Sequence, residues 1–259
     1  MTNIKKSTKW WEYVRDEELK PALNFFPKKK HSKILEVGGG NGYQASKILK
    51  MGYDITSIDI VPAHPSYFDV QKMDVTVLPY PDNHFDLILT SLVLQHIKNL
   101  DSAFLEMNRV LKHDGVMIHI VPTSWWTIFT NFWHYFYIPK FLFKSFFKKF
   151  NSQLNLKTKV TQNVSNEIKN NNHNKFFKLK LLFLNPLGYN SSFISDIFYF
   201  RKNYWKKKLE KYSLKIIDIK NCPISSTGYA VFRNKLLKVR KFFALHHFPT
   251  IICIVVKKL

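Results

Sequence analysis

Cysteine is nearly absent from this chain, and so are several other features that mark specialised classes of protein. Two cysteines among 259 residues cannot form a disulfide framework, which excludes a small secreted fold held together by disulfides. Histidine, cysteine and carboxylate residues show no metal-ligand spacing, so we predict no metal site. No apolar run has the length of a membrane span, and the N-terminal residues lack the apolar centre of a signal peptide. We therefore expect a cytoplasmic location.

Acidic residues are scarce in only one half of the chain. Residues 1–121 hold 15 lysines and arginines and 14 acidic residues, whereas residues 122–259 hold 25 and 4. The second half thus carries +21 of the formal net charge of +22. Such an excess predicts contact with an anionic partner, either a membrane surface or nucleic acid.

Glycine is also infrequent, and half of the eight glycines fall within residues 38–42. They belong to the motif KILEVGGGNGYQASKILK, in which an apolar run precedes the glycines and a helical pattern follows them. The glycines are Gly38, Gly39, Gly40 and Gly42. A strand, a tight turn and a helix in this order predict the first unit of a doubly wound α/β domain. Because glycine permits a sharp turn and close approach to the backbone, we expect a nucleotide-like ligand over this turn.

The spacing of the glycines discriminates between two kinds of nucleotide ligand. A dinucleotide-binding turn has the pattern G-x-G-x-x-G, and Tyr43 occupies the position of its third glycine. A carboxylate just before the turn, here Glu36, suits a cationic ligand better than a pyrophosphate. An NAD-dependent oxidoreductase is therefore disfavoured. The acidic residue followed by G-x-G-x-G resembles the first motif of the class I S-adenosylmethionine-dependent methyltransferases, in particular the methyltransferase type 11 group.

The residues after the glycine motif extend this resemblance. A second strand, Tyr53–Ile60, ends in Asp59, where the resemblance places the ribose hydroxyls of the cofactor. Asp74 would lie near the adenine, and a fourth strand, FDLILTS, precedes the group Leu94–Ile97. A helix over Asp101–Leu111 then leads into a fifth strand, VMIHIV. The cofactor-binding residues that the resemblance implies are Glu36, Gly38, Gly39, Gly40, Gly42, Asp59, Ile60, Asp74, Val75 and Ser91.

The end of the chain completes the predicted fold. Phe198–Tyr212 is predicted to be one basic amphipathic helix and Leu214–Ile219 the sixth strand. Thr250–Val256 is predicted to be an antiparallel seventh strand beside the fifth. The fold class that we expect is α/β, with a doubly wound, seven-stranded, mostly parallel sheet.

Residues 122–198 are predicted to be an aromatic and basic insertion into a cofactor-binding core formed by 1–121 and 199–259. Half of the residues from Trp125 to Phe150 are aromatic. The helical stripe consists of Trp125, Phe129, Phe132 and Phe136, and a lysine row of Lys140, Lys144 and Lys148 follows. Aromatic residues interleaved with lysines at helical spacing predict an interfacial helix among lipid headgroups, which would hold the protein on the inner face of the membrane. A lid that packs its aromatic side chains on the core is the alternative.

The methyl acceptor is predicted from a looser resemblance. The order of the later elements is similar to that of methyltransferases associated with bacterial surface-polysaccharide synthesis. This implies O-methylation of a sugar or lipid-linked glycan at the cytoplasmic membrane surface. His96 is the candidate general base for the hydroxyl proton. His134 and Tyr137 are further candidates if the aromatic segment closes as a lid, whereas His119, inside the fifth strand, is expected to be structural.

Three other functions stay open. A nucleic-acid methyltransferase would bind phosphates with the basic half, but arginines are few there, and a DNA amino-methyltransferase motif is replaced by Thr90-Ser91-Leu92-Val93. A small lipid or quinone-like acceptor is the second alternative. A non-catalytic cofactor-binding module is the third, and the intact glycine motif with Asp59 and Asp74 argues against it.

Overall fold

A seven-stranded sheet with the order β3-β2-β1-β4-β5-β7-β6 forms the centre of the protein. The computed structural model describes residues 2–133, 135, 188–189, 192–224, 227, 232 and 235–258. The strands are β1 Lys33–Val37, β2 Asp54–Asp59, β3 Gln71–Lys72, β4 Phe85–Ser91, β5 Leu111–Pro122, β6 Leu214–Asn221 and β7 Ile251–Lys258. The helices are α1 Thr2–Leu23, α2 Tyr43–Lys50, α3 Leu100–Val110, α4 over 124–133, α5 Phe193–Tyr199, α6 Lys202–Glu210 and α7 Leu237–His246, and a 3₁₀ turn covers Leu94–His96.

The directions of the strands confirm the predicted fold class. β1 pairs with β2 on one side and with β4 on the other, and these pairs are parallel. β7 lies antiparallel between β5 and β6. The chain therefore leaves β1 towards one edge of the sheet and returns to β4 on the opposite side of β1. At such a reversal, the carboxyl ends of the strands leave a crevice in which α/β proteins bind ligands.

Two apolar layers explain why the central strands are runs of Ile, Leu and Val. On one face of the sheet, Phe104 of α3 and Trp205 of α6 belong to the same buried cluster as Leu35 and Val37. On the other face, α1 and α2 cover a second cluster that includes Ile34. Alternate residues of β1 are thus buried on opposite sides, as expected for a strand with both faces covered.

Two elements differ from the prediction by more than two residues at a boundary. The prediction of one helix over Phe198–Tyr212 was wrong, because Phe200 is buried in the core and Arg201 is extended between α5 and α6, with φ −65° and ψ 140°. β5 begins earlier than predicted, since Leu111 already pairs with Phe85 of β4. Both differences arise from contacts with distant parts of the chain, which a local pattern does not contain.

Part of the aromatic segment packs on the protein itself. The ring centroids of Trp125 and Phe129, on α4, lie 4.7 and 5.7 Å from that of Phe248. Trp125 and Phe132 are both exposed. These ring contacts join α4 to the segment after α7, and the choice between a lid and a membrane-surface element stays open.

The predicted insertion, residues 122–198, is described at its two ends. The boundary predicted between residues 198 and 199 falls inside α5. The candidates His134 and Tyr137 lie outside the described residues. Within the part of the chain that the structure describes, no helix has both the length and the apolar character needed to cross a bilayer.

Candidate functional site

The turn between β1 and α2 needs glycine for two reasons. Gly38, Gly40 and Gly42 have φ values of 81°, 56° and 73°, a region that residues with a side chain rarely adopt. A Cβ on Gly38 would also lie 2.5 Å from the Cβ of Val93, just beyond β4. The Gly38 amide donates to the carbonyl oxygen of Ile58 at 2.8 Å, which ties the turn to β2. The turn is therefore held against β2 on one side and against Val93 on the other.

Glu36 lies beneath the glycine turn. Its side chain is buried and accepts a 2.5 Å hydrogen bond from Ser57 Oγ on β2. A Cβ on Gly39 would come within 2.0 Å of that same hydroxyl oxygen, so the turn rests directly on this pair. Burial raises the pKa of Glu36 to about 7, against the opposing effects of the Ser57 hydrogen bond and the positive charge of Arg15. Glu36 thus supports the turn, and its contact with a ligand stays a prediction.

A cleft of about 480 Å³ opens above the glycine turn, between the carboxyl ends of β1 and β4. The predicted cofactor residues that line it are Gly38, Gly39, Gly40 and Ser91. Its other lining residues are Trp11, Glu12 and Arg15 of α1 and Asn41, Tyr43 and Gln44 near the start of α2. The cleft has the size of a small-molecule site and lies at the reversal of strand order.

Arg15 is the cation of this cleft, and the sequence analysis missed it. Its Nη1 donates to Glu18 Oε2 at 2.8 Å and lies 3.4 Å from Ser91 Oγ. Burial raises the pKa of Glu18, and the charge and hydrogen bond of Arg15 oppose that rise. The guanidinium is therefore held by a buried carboxylate on its own helix while it faces the carboxyl end of β4.

α1 is joined to the loops around the cleft by tyrosine hydroxyls. Tyr43 donates to Asp16 at 3.1 Å, and Tyr67 donates to Glu12 at 2.6 Å. The two tyrosine rings meet edge to face, with centroids 5.3 Å apart. The α1 side of the cleft could have been predicted from the sequence, because the apolar residues of α1, beginning at the buried Trp10, have helical spacing.

Asp59 and Asp74 lie at neighbouring strand ends, as predicted. The two carboxylate oxygens of Asp59 accept from the amides of Gly40 and Val61, at 2.9 Å each. A carboxylate has roughly four lone-pair directions, so Asp59 can still accept a hydrogen bond from a hydroxyl group. The Met73 amide donates to the carbonyl oxygen of Asp59 at 3.0 Å, which brings Asp74 alongside.

The other residues at this end of the site differ in exposure. Ile60 is 62% exposed and offers an apolar surface on which a ligand ring can pack. Val75 is buried in the core, and Asp74 Oδ1 accepts from the amide and the hydroxyl of Thr76 at 2.9 and 2.8 Å. Asp59, Ile60, Asp74 and Val75 lie along the strand ends and are not among the described residues that line the 480 Å³ cleft. Their cofactor-binding roles stay predictions.

His96 ends the 3₁₀ turn after β4, on the protein surface and outside the described lining of the glycine-turn cleft. Surrounding protein atoms lower the pKa of its imidazole, and the negative charge of Asp196 opposes this effect. A second cleft of about 380 Å³ lies next to it, between the 3₁₀ turn and α5 and α6. Its lining includes Gln95, Asn99, Asp101, Tyr189, Tyr199 and Lys208.

His119 is a core residue, as its place inside β5 predicted. It is fully buried, with Nδ1 2.8 Å from Thr90 Oγ1, and its ring meets that of Phe104 edge to face at 5.6 Å. Burial lowers the pKa of His119 to about 3, so the imidazole is neutral at physiological pH. It therefore has a structural role.

The side chains around the cleft fit the parts of S-adenosylmethionine. Arg15 supplies a guanidinium for the carboxylate of the methionine end, and Glu12 supplies a negative charge for its ammonium group. A Cβ placed on Gly40 would meet no atom within 4 Å, so a ligand can approach the backbone there. Asp59 and Ile60 offer a carboxylate and an apolar surface to the nucleoside end.

Comparison with known proteins identifies a domain in this part of the chain. Residues 35–119 match the family model described as a methyltransferase domain. A ubiquinone/menaquinone biosynthesis C-methyltransferase, UbiE, of Laribacter hongkongensis is 31% identical over 109 residues, which are 37% of this chain and 45% of the relative. The protein of the same name from Shewanella oneidensis is 28% identical over 102 residues, 33% of this chain and 41% of the relative. The chain thus spans less than half the length of these curated relatives.

Solved structures match over a larger share of the chain. A SAM-dependent methyltransferase from Archaeoglobus fulgidus has a TM-score of 0.53 at 13% identity, over 95% of this chain and 94% of the other. An S-adenosylmethionine-dependent methyltransferase from Mesorhizobium loti has a TM-score of 0.52 at 9% identity, over 95% and 100%. At these identities the likeness concerns the fold. The matched methyltransferase domain, residues 35–119, contains the glycine motif on which the prediction was based.

Proposed function

We propose that this chain is a class I S-adenosylmethionine-dependent methyltransferase and that it methylates a lipid-linked acceptor at the cytoplasmic surface of a membrane. The observation that carries methyl transfer is the cleft above the glycine turn, where Arg15 of α1 faces Ser91 at the end of β4. The first candidate acceptor is a sugar hydroxyl of a lipid-linked glycan. Its support is the basic, aromatic second half of the chain, which suits an anionic lipid surface.

The residues of the cleft bind and orient the reactants. S-adenosylmethionine supplies, when bound, an electrophilic methyl group on a positively charged sulfur. Arg15 would hold the carboxylate of the methionine end, the glycine turn would leave room for the tail, and Asp59 would accept hydrogen bonds from the ribose hydroxyls. With the methyl donor fixed in this way, most of the rate enhancement comes from holding the acceptor in line with it and excluding water.

We assign the second cleft, beside the 3₁₀ turn, to the acceptor. Its described lining combines aromatic side chains such as Tyr189 and Tyr199 with the amide of Gln95, a mixture that suits a sugar ring. In O-methylation the acceptor oxygen forms a bond to the methyl carbon, the carbon–sulfur bond breaks and the hydroxyl proton leaves to a base. His96 is the base in this proposal, because its lowered pKa keeps the imidazole neutral at pH 7.

C-methylation of a quinone-type ring is the second candidate. The specific observation in its favour is the name of the relatives from Laribacter hongkongensis and Shewanella oneidensis, which are C-methyltransferases of ubiquinone and menaquinone biosynthesis. A carbon nucleophile also loses a proton, so His96 would keep its role. Both candidates place the acceptor on a lipid chain, and they differ in the atom that receives the methyl group.

The cofactor is tested by calorimetric titration of the purified protein with S-adenosylmethionine, S-adenosylhomocysteine and NAD in parallel. We expect dissociation constants on the order of micromolar for the first two, as is common for cofactors, and no heat with NAD. Binding of NAD alone would overturn the proposal.

The acceptor is tested by incubating the protein with methyl-labelled S-adenosylmethionine and total membrane lipids. If mild acid releases the label together with the glycan, the result supports O-methylation of a lipid-linked sugar. Label that stays on a quinone-type ring supports the second candidate, and label in added RNA or DNA supports the nucleic-acid alternative. Cofactor binding without transfer to any of these supports a non-catalytic module.

A further inference from the structure

α7 buries an arginine and exposes several of its large apolar residues. Arg240 is buried, and its guanidinium lies 4.8 Å from the ring centroid of Trp10 on α1. Lys241 forms a 2.9 Å ion pair with the buried carboxylate of Glu17. The exposed apolar residues of this region are Leu236, Val239, Phe242, Phe243 and Leu245. A helix that packs on a protein core usually shows the opposite distribution, so the outer face of α7 needs its own explanation.

The apolar face of α7 continues onto α4. The ring of Phe243 is stacked on that of Phe248 with centroids 6.1 Å apart, and Phe248 in turn contacts Trp125 and Phe129. Between the two helices lies a cleft of about 370 Å³. Its lining is Phe129, Trp133, Thr227, Phe232, Leu236, Val239, Arg240, Phe243, Ala244 and Phe248, which is almost entirely apolar. A continuous exposed apolar area of this kind marks an interaction surface.

The charge around this surface selects an anionic partner. The chain has no acidic residue after Asp218, and Lys235 and Lys238 are exposed beside the apolar face. Glu17 is a described carboxylate that contacts α7, and it is already paired with Lys241. An anionic bilayer satisfies both parts of the surface, because its acyl region receives the aromatic and aliphatic side chains while lysines reach its phosphates.

We infer that α7, with the aromatic residues of α4, is a docking surface that lies in the headgroup layer of an anionic phospholipid bilayer. The inference rests on the proposed function in one respect only: docking would serve to bring the cofactor cleft to a lipid-linked acceptor. α1 connects the two sites, since Trp10 contacts α7 and Arg15, on the same helix, lines the cofactor cleft. Docking through α7 therefore places the cofactor cleft close to the membrane.

The test is co-sedimentation with vesicles of phosphatidylcholine that contain phosphatidylglycerol, compared with vesicles of phosphatidylcholine alone. We expect wild-type protein to bind the anionic vesicles more tightly. The variant Val239→Ser/Phe242→Ser/Phe243→Ser should bind them at least about tenfold more weakly, because three apolar side chains no longer enter the bilayer. The matched control is Val77→Ser/Leu105→Ser/Ile217→Ser, which removes three exposed apolar side chains elsewhere and should bind as wild type does.

A second variant and a second measurement separate docking from folding and from cofactor binding. Lys235→Gln/Lys238→Gln should lose much of the preference for anionic vesicles and keep a normal melting temperature, because both lysines are exposed. S-adenosylmethionine titration of each variant reports on the proposed function alone, so the two ideas fail separately. Wild-type protein that does not bind anionic vesicles, or a triple α7 variant that binds them as tightly as its control, would overturn the inference.

Discussion

Arg15 on α1 and Ser91 at the end of β4 meet across the cofactor cleft, with Nη1 and Oγ 3.4 Å apart although 76 positions separate them in the chain. The same guanidinium is bound by Glu18, whose side chain is buried. One side of the cleft thus belongs to a helix outside the sheet, and the guanidinium of Arg15 faces the end of β4 from that helix. We therefore predict that cofactor affinity depends on α1, which precedes the glycine motif in the chain.

Arg15→Ala is expected to raise the dissociation constant of S-adenosylmethionine about 10- to 100-fold, the range for loss of a charge-assisted hydrogen bond. The informative ligand is decarboxylated S-adenosylmethionine, which lacks the carboxylate. Wild-type protein should bind it more weakly than the intact cofactor, and Arg15→Ala should bind the two alike. Calorimetric titration measures both differences.

The control for Arg15 concerns stability. Removing the guanidinium leaves Glu18 buried without its cation, so Arg15→Ala should also lower the melting temperature. Adding Glu18→Gln should restore the melting temperature and leave cofactor affinity low. Restoration of affinity as well would show that Arg15 acts only through the fold.

Gly39→Ala and Gly40→Ala are expected to have different effects. A Cβ on Gly39 would lie 2.0 Å from Ser57 Oγ, so this variant should lose at least about 2 kcal/mol of unfolding free energy. A Cβ on Gly40 would face open space, and its φ of 56° costs only about 1 kcal/mol. Gly40→Ala should therefore stay folded but bind S-adenosylmethionine weakly. Chemical denaturation and titration separate the two variants, and equal affinity for wild type and Gly40→Ala would remove the cofactor from this position.

Glu36 should make unfolding free energy depend on pH. Its pKa is about 7 in the folded protein and lies at the ordinary value of 4.5 once unfolded, so between these values the folded state holds a proton that the unfolded state has lost. Its contribution to stability is therefore complete below pH 4.5 and is lost as the pH rises to 7, with a slope of up to about 1.4 kcal/mol per pH unit.

Glu36→Gln removes this titration and leaves the other ionisable groups in place. The unfolding free energy of the variant relative to wild type should therefore increase as the pH is raised from 4.5 to 7 and level off above it. Denaturation curves for both proteins at a series of pH values check this. A constant difference across the series would contradict the raised pKa.

His96→Gln should reduce kcat about 100-fold or more once an acceptor is known, the usual effect of losing a general base, and should leave cofactor affinity unchanged. Because the pKa of His96 is lowered, the acid limb of the wild-type pH–rate profile should lie below pH 6.5 and should vanish in the variant. His113→Gln is the matched control, since that histidine is exposed near the start of β5, at the opposite end of the strand from the site. An unchanged profile in His96→Gln would assign the proton transfer to another group.

Several elements were predictable because their signals are local. β1, the glycine turn and α2 follow from an apolar run, from glycines at positions with positive φ and from a helical pattern, all within residues 33–50. Asp59 could be placed at a strand end for the same reason, whereas Asp74 was placed by the resemblance to the methyltransferase family. α5 and α6 were merged into one helix because the burial of Phe200, which separates them, depends on the core around it.

The sequence by itself determined the fold class and the glycine turn, since both depend on short-range backbone preferences and on which residues avoid water. The tertiary structure decided what surrounds that turn. It placed Arg15 opposite Ser91, put Glu36 under the turn against Ser57, and turned the phenylalanines of α7 outward over a buried Arg240. These are contacts between residues far apart in the chain. Their energies depend on distance and burial, which exist only once the chain is folded.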